Sequence, residues 1–161
     1  MHRFALPAAE TAATVLLGLM SGFFFAFAVD VAPAMANLDG PTYVTTQQWI
    51  NRVVRNAPFG AAYFGAAVLP FAVAALAFAA HRRRSAAAWL AIGAVYVGGV
   101  FWLTRSINIP INDAVAGWNA ASPPADWAAL RERWNEANLL RTVAAGLAFA
   151  GAVVMRGCRL R

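Results

Sequence analysis

Three long apolar segments and a shorter fourth one are separated along the chain by polar stretches. The first (12–29), second (58–80) and third (85–104) contain no charged residue. A bilayer core of about 30 Å requires about 20 apolar residues per helix, which each of these segments reaches or nearly reaches. The pattern therefore predicts three membrane-spanning helices.

The fourth segment is uncharged only between Thr142 and Met155, which is too short for a span. A helix of spanning length that ends near Arg156 must include the preceding turn, with Asn138 at the membrane boundary and Arg141 about one turn inside. A charge at that depth is costly unless it faces the bundle interior or water. We expect Arg141 to face the interior, with snorkelling to the headgroups as the alternative.

A polar stretch between the first two segments predicts an additional amphipathic helix. Residues 39–42 have the composition of a turn, with Thr42 as the expected N-cap. Apolar residues then recur at helical spacing, namely Ile50, Val53, Val54 and Ala57. We expect this helix to lie across the outer mouth of the bundle. A plain interfacial helix with Tyr43 and Trp49 at the headgroups is the alternative.

These elements predict an all-α fold. With 61% hydrophobic and 12% charged residues, the composition excludes an ordinary soluble domain. We expect one membrane domain over residues 1–161, built as a four-transmembrane-helix bundle with the amphipathic helix in the first extracytoplasmic loop. The expected helices are 8–36, 42–56, 58–80, 85–107 and 127–156.

Arginines mark one side of the membrane. Residues 82–84 are three arginines between the second and third segments, and Arg156, Arg159 and Arg161 follow the fourth. Because cytoplasmic loops are rich in basic residues, we expect a multi-pass protein of the cell membrane with both termini in the cytoplasm. The net charge of +6 then reflects topology and attraction to membrane lipid, and it does not indicate a nucleic acid partner.

The first segment also has some features of a signal peptide. Residues 26–28 (Ala-Phe-Ala) could form a cleavage site, but the apolar run exceeds an ordinary signal core and Glu10 interrupts its approach. We expect an uncleaved helix. The single cysteine, Cys158, excludes an intrachain disulfide, and an unmodified thiol is favoured over palmitoylation.

Polar residues cluster where the third segment ends, in the stretch TRSINIPIND (104–113). Pro110 lacks an amide donor and disfavours a helical residue before it, so a helix break at Ile109-Pro110 is predicted. Asn108 and Asn112 could bind the backbone groups that this break frees. This structural explanation is compatible with a functional role for both asparagines.

A second polar pattern precedes the fourth segment. Five residues spaced three or four positions apart would form one stripe along a helix: Arg131, Trp134, Asn138, Arg141 and Ala145. Asp30 follows the first segment and is the expected counter-charge to Arg141.

These motifs resemble those of the DUF1772 family of anthrone oxygenase-like integral membrane proteins. TRSINIPIND is similar to the family signature Thr-x-x-Ile-Asn-x-Pro-x-Asn, and the stretch 127–141 is similar to Trp-x-x-x-Arg-x-x-Trp-x-x-x-Asn-x-x-Arg. The stretch QQWIN (47–51) is similar to the family's Gln-x-Ile-Asn, and Pro33 matches a proline after the first segment. The resemblance implies a four-helix membrane bundle. It also implies oxidation of anthrones to anthraquinones by dioxygen, without metal or flavin.

The chemistry of the polar residues agrees with a cofactor-free site. An anthrone has an acidified ring C–H, so its anion can reduce dioxygen if the protein supplies a base, donors for the oxyanion and an apolar cavity. We expect Asp30 as the base, and the oxyanion donors to be Asn108, Asn112, Asn138 and Arg141. We expect the substrate, a lipophilic aromatic molecule, to bind to Gln48, Asn51, Arg131 and Trp134, with Trp134 as a stacking wall.

No cofactor is expected. The two histidines, His2 and His81, and Cys158 are predicted to be cytoplasmic, which leaves haem, copper and zinc without ligands near the polar cluster. Two other classes of function stay open: a noncatalytic binder of quinones or other lipophiles, and a small transporter. The polar residues could also serve only as hydrogen bonds between helices. The sequence leaves the oligomeric state open.

Overall fold

The computed structural model describes residues 2–157, with side chains from residue 5 onward. Cys158, Arg159 and Arg161 lie outside the described residues. Within them the chain forms five helices and no strand, which confirms the all-α prediction.

Two of the five helices contain wider π-helical turns. Helix α1 covers residues 2–35 and consists of His2–Ala26, the π turn Phe27–Val31 and the last turn Ala32–Met35. The next two helices are regular, with α2 at Gly40–Val53 and α3 at Ala57–Ala79. Helix α4 covers residues 83–116 and consists of Arg83–Tyr96, the π turns Val97–Phe101 and Thr104–Asn108, and Ile109–Ala116. Helix α5 is Trp127–Gly157.

Four of these helices are long and apolar enough to cross a membrane, at Ala5–Met35, Ala57–Ala79, Arg83–Ala116 and Trp127–Gly157. Helices α1 and α4 each pack against both α3 and α5, which makes the four spans a closed bundle. The predicted four-transmembrane-helix bundle is therefore confirmed. Helix α2 connects the first two spans and packs against the last part of α4.

Helix α4 is longer than predicted. It continues to Ala116, past the expected end at residue 107, and Ile109 keeps helical angles (φ −63°, ψ −50°). The predicted break at Ile109-Pro110 is therefore wrong. The π turn Thr104–Asn108 directly precedes the proline and contains Ser106, whose carbonyl a proline ring would meet in a regular helix. The wider turn accommodates the ring without ending the helix.

Helix α1 also accommodates a proline with a preceding π turn. Its π turn Phe27–Val31 lies just before Pro33 and contains Val29, the residue four positions before the proline. Both spans can therefore carry a proline near one end and continue as helices.

Helix α2 begins earlier than predicted and buries a different face. Its N-cap is Asp39, not Thr42, because the Asp39 carboxylate accepts a hydrogen bond of 2.8 Å from the Thr42 N–H. The polar residues Gln47 and Asn51 are buried, whereas Trp49 is exposed. The buried strip therefore differs from the apolar strip that the sequence predicted.

The two ends of the bundle are built differently. At one end, which we call the packed end, small side chains fill the core; these include Ala13, Ala77, Ala86 and Ala152, at most 4% exposed. Trp89 is fully buried among them. The opposite end, which we call the cavity end, contains α2 and the α2-proximal ends of the four spans. Its buried residues are larger and more polar.

Candidate functional site

A cavity of about 520 Å³ lies at the cavity end. Side chains of all five helices line it, so its shape depends on the whole bundle. Seven of the residues that line it are aromatic: Phe23, Phe24, Phe27, Phe59, Tyr63, Phe64 and Trp134. Its volume lies within the range of small-molecule sites, about 300–1,000 Å³. The cavity can therefore hold a flat aromatic molecule of several rings.

Arg141 is the charged residue in the buried wall of the cavity, and only 6% of it is exposed. One terminal nitrogen, Nη1, donates to Thr104 Oγ1 at 3.1 Å, and the other, Nη2, donates to Asn138 Oδ1 at 2.8 Å. The guanidinium carbon lies 4.9 Å from the ring centre of Phe24 and 5.2 Å from that of Trp134. All four of these partners are neutral.

No carboxylate forms an ion pair with Arg141 within residues 2–157. Cation–π contacts and neutral acceptors compensate part of the cost of burying its charge. Its Nε–H, however, has no acceptor. A buried guanidinium in this state attracts an anionic oxygen more strongly than one that already has a carboxylate partner.

The two helices that carry the sequence motifs are joined by hydrogen bonds. Asn108 Nδ2 of α4 donates to the Trp134 carbonyl of α5 at 3.2 Å, and Trp134 Nε1 donates to Asn112 Oδ1 at 2.8 Å. Asn112 and Trp134 line the cavity, whereas Asn108 is fully buried beside it. The asparagines thus bind α5 rather than the backbone of a broken helix.

Unused hydrogen-bonding capacity is concentrated here. Four of the five buried side-chain atoms without a hydrogen bond in the described part of the chain belong to this region: Asn51 Nδ2, Asn108 Oδ1, Asn138 Nδ2 and Arg141 Nε. Each such atom costs about 1–3 kcal/mol when it stays unpaired. Three of them are donors on residues that line the cavity. The site is therefore suited to a ligand with acceptor oxygens.

Gln48 is not in the cavity wall. Its Nε2 donates to the carbonyls of Val115 and Trp118, at 2.9 and 3.0 Å, and so holds α2 against the end of α4. This side chain fixes the position of α2, and its neighbour Asn51 reaches the cavity.

Arg131 is also outside the cavity wall. Its guanidinium lies over the rings of Tyr43 and Trp127, at 5.8 and 5.1 Å, and pairs with Glu132 at 2.7 Å. Burial raises the pKa of Tyr43 to about 12, although the positive charge of Arg131 opposes the shift, so the phenol stays neutral. Arg131 therefore joins α5 to α2.

Asp30 is exposed and is not among the residues that line the cavity. The inward face of α1 is a stripe in steps of three and four residues, made of Met20, Phe24, Phe27, Val31 and Met35. Asp30 lies one residue away from this stripe. The structure does not bring it to Arg141.

A different carboxylate, Asp113, lines the cavity. Its Oδ1 is 3.4 Å from Nη2 of Arg55, another lining residue, and both side chains are well exposed. Sequence reasoning missed Asp113 although it directly follows Asn112 in the motif. The π turn in α4 carries the helix past Pro110, and this continuation brings Asp113 to the cavity.

Two further lining residues were missed. Thr104 opens the TRSINIPIND motif and accepts the hydrogen bond from Arg141. Tyr63 is the single tyrosine of the second apolar segment, and its ring lies 5.8 Å from that of Phe59. A hydroxyl within a membrane span was the available signal in each case.

Within residues 2–157 there is no group of three or more His, Cys, Asp or Glu side chains that could hold a metal ion. The expectation of a cofactor-free site stays a prediction.

The family model for anthrone oxygenase matches residues 57–151, which is more than half of the 161 residues. The matched part begins with α3, contains all of α4 and extends through most of α5, so it includes the motifs around Asn112 and Arg141. No curated protein and no solved structure matches the chain.

Proposed function

Because the chain belongs to the anthrone oxygenase family, we propose that it oxidises a lipophilic, anthrone-like aromatic molecule with dioxygen in the cavity described above. The observation that carries this proposal is the buried Arg141 guanidinium, which has only neutral partners and lies in an aromatic cavity. An anthrone anion offers the matching features: a flat ring system and a negatively charged oxygen.

The reaction begins with loss of a proton from the ring CH₂ opposite the carbonyl. The negative charge moves onto the carbonyl oxygen, where Arg141 and the unpaired Nδ2 donor of Asn138 can stabilise it. This stabilisation favours the anion over the neutral substrate, which lowers the barrier to deprotonation.

Dioxygen then accepts one electron from the anion, and the resulting superoxide and carbon radical combine at the deprotonated carbon. The peroxide anion regains the proton from the base. Removal of the second C–H proton breaks the O–O bond and releases hydroxide, which takes up this proton to become water. The net change is CH₂ plus O₂ to C=O plus H₂O. The substrate anion is the electron donor, so the proposal requires no flavin or metal.

We assign the base to Asp113. It is the carboxylate among the residues that line the cavity, and it lies at the edge where Arg55 is exposed. A carboxylate there can exchange protons with water between the two proton transfers. Asp30 is the weaker choice because it is not among the residues that line the cavity.

The experiment is oxygen uptake by the purified protein with a simple anthrone, measured in detergent in the presence of a chelator. Arg141→Ala should reduce turnover by about 10²–10³-fold, because oxyanion donors contribute on this scale. Arg141→Lys keeps the positive charge, so the variant should fold. It loses the planar guanidinium that donates to both Thr104 and Asn138, so its turnover should still be low.

Full turnover by the lysine variant, together with aggregation of the alanine variant, would show that Arg141 is structural. Tight anthrone binding by the unaltered chain without oxygen uptake would instead identify a noncatalytic binder of lipophiles.

A further inference from the structure

An apolar groove of about 680 Å³ lies beside the cavity, between α1, α2 and the start of α3. Asn56 is the polar residue of its lining, which is otherwise apolar. Leu19, Phe23, Trp49 and Val53 line it and are exposed. Leu19 and Phe23 belong to a candidate membrane span, where an exposed apolar side chain faces lipid. The groove is therefore open toward the bilayer.

The groove and the cavity have a common wall. Six residues line both spaces: Phe23, Phe27, Ile50, Val54, Asn56 and Phe59. The rings of Phe23 and Phe59 lie 5.1 Å apart, and Phe59 stacks on Tyr63 at 5.8 Å. A continuous series of aromatic rings thus leads from the lipid-facing surface to the buried end of the cavity.

The opposite side of the cavity is polar. A separate pocket of about 400 Å³ is lined by Gln48, Asn51, Arg52, Arg55 and Ala116. It shares Asn51 and Arg55 with the cavity. The cavity therefore adjoins an apolar space on one side and a polar, exposed one on the other.

We propose that the groove is a lateral portal through which a planar aromatic lipophile passes from the membrane into the cavity. This proposal rests on the proposed function for the identity of the occupant. Such a molecule partitions into the hydrocarbon region, so a path lined by Arg52 and Arg55 would require it to be dissolved in water first. The apolar path avoids that cost, and the polar pocket is left for exchange of protons and water.

The position of α2 agrees with this assignment. Arg52 lies over the ring of Trp49 at 4.7 Å, a pairing suited to the headgroup level of a membrane. The Gln48 side chain bonds to α4, on a different face of α2 from Trp49 and Val53. Hydrogen bonds therefore hold α2 in place while its groove face stays open.

The test is to narrow the groove without touching the cavity. Ala62 lines the groove but not the cavity, and its neighbour Ala61 is exposed and lines neither. The variants Ala62→Trp and Ala61→Trp are compared in liposomes preloaded with anthraquinone, with binding followed by quenching of tryptophan fluorescence. Anthraquinone is the fully oxidised ring system, so this readout needs no turnover.

Ala62→Trp should slow association by about tenfold or more, equivalent to about 1.4 kcal/mol on the barrier. Its equilibrium affinity should change little, because a portal affects rates, and Ala61→Trp should behave as the unaltered chain. Should Ala62→Trp fail to fold, Leu19→Trp replaces it, since Leu19 is an exposed groove residue. The matched control is Val15→Trp, one turn away on the same exposed face.

Association of Ala62→Trp or Leu19→Trp at the unaltered rate would overturn the portal, even in a chain that oxidises anthrone. Slowed association in a chain that consumes no oxygen would support the portal and overturn the proposed oxidation. Absence of anthraquinone binding by the unaltered chain would overturn the portal, and oxygen uptake with anthrone decides the proposed oxidation separately.

Discussion

The packed end and the cavity end of the bundle consist of the same four helices, yet their cores differ in side-chain size. At the packed end, residues such as Ala77 and Ala152 are fully buried. In the middle of the bundle, Gly99 of α4 approaches Ala144 of α5 so closely that an added Cβ would overlap it. At the cavity end, the inward positions carry phenylalanine, tryptophan, asparagine and Arg141.

This difference shows how a small membrane bundle can be solid at one end and open at the other. Helices in a bilayer associate through close contact of small residues, and large inward side chains prevent that contact. Near the cavity, the π turns before Pro33 and Pro110 also change the helical phase, which alters the residues that face inward. The cavity therefore forms at the end of the bundle where large inward side chains replace small ones.

The two ends are also expected to face different compartments, so a cysteine at one end should be labelled from outside the cell and a cysteine at the other end should not. In a Cys158→Ser background, a new cysteine at Ser122 should react with an impermeant maleimide on intact cells. A cysteine at Ser85, at the packed end beside the arginines, should react only after permeabilisation. Equal labelling of both in intact cells would contradict the predicted orientation.

Two neighbouring glycines in the middle of α4 differ in the space around them. Gly99→Ala should lower the free energy of unfolding by about 1–3 kcal/mol, because the new methyl group meets Ala144 and the helices must separate. Gly98, in the same π turn, has no neighbour within 4 Å of an added Cβ, so Gly98→Ala is the matched control. Thermal unfolding in detergent measures both.

Gly60 extends the comparison to the cavity end. It lines the cavity, and an added Cβ there also meets nothing within 4 Å. Gly60→Ala should therefore fold at least as stably as the unaltered chain, since alanine favours a helix over glycine by about 0.5–1 kcal/mol. Equal destabilisation by Gly60→Ala and Gly99→Ala would contradict the distinction between the closely packed middle of the bundle and its open cavity end.

Much of the fold follows from sequence periodicity alone. Apolar length identifies the four spans, and the stripe through Trp134, Asn138 and Arg141 identifies the inward face of α5, since all three are buried. These features depend on residues within one helix. The short fourth segment required Arg141 to lie within the span, and its burial inside the bundle agrees with that interpretation.

The positions of the carboxylates could not be predicted in the same way. Whether Asp30 or Asp113 reaches the cavity depends on two π turns and on how α1 and α4 rotate against α5. A pattern within one segment does not determine that rotation. The same limit applies to the groove, because its volume is set by the separation of α1, α2 and α3.

The smallest expected effect concerns the helix that covers the cavity end. Hydrogen bonds from the side chain and backbone N–H of Thr42 lower the pKa of the Asp39 carboxyl below its ordinary value of 3.8. A depressed folded-state pKa means that the carboxylate stabilises α2 fully above the unfolded-state pKa. This contribution is lost as the pH falls through the folded-state pKa. Hydrogen exchange of the α2 amides, corrected for intrinsic rates, should show a modest loss of protection below about pH 4.

The variants Asp39→Asn and Asp39→Ala separate the charge of this cap from its hydrogen bond. Asparagine is as good an N-cap as aspartate but does not titrate, so protection of α2 in Asp39→Asn should not change with pH over this range. Alanine cannot accept the Thr42 N–H, so Asp39→Ala should lose protection at every pH. The α3 amides give the internal control, because Asn56 caps that helix through Phe59 N–H at 2.9 Å and carries no titrating group. Acid-dependent protection of α2 in Asp39→Asn would assign the effect to another carboxylate of the cavity end, with Asp113 next to be replaced, since it meets Arg55 just beyond the last turn of α2.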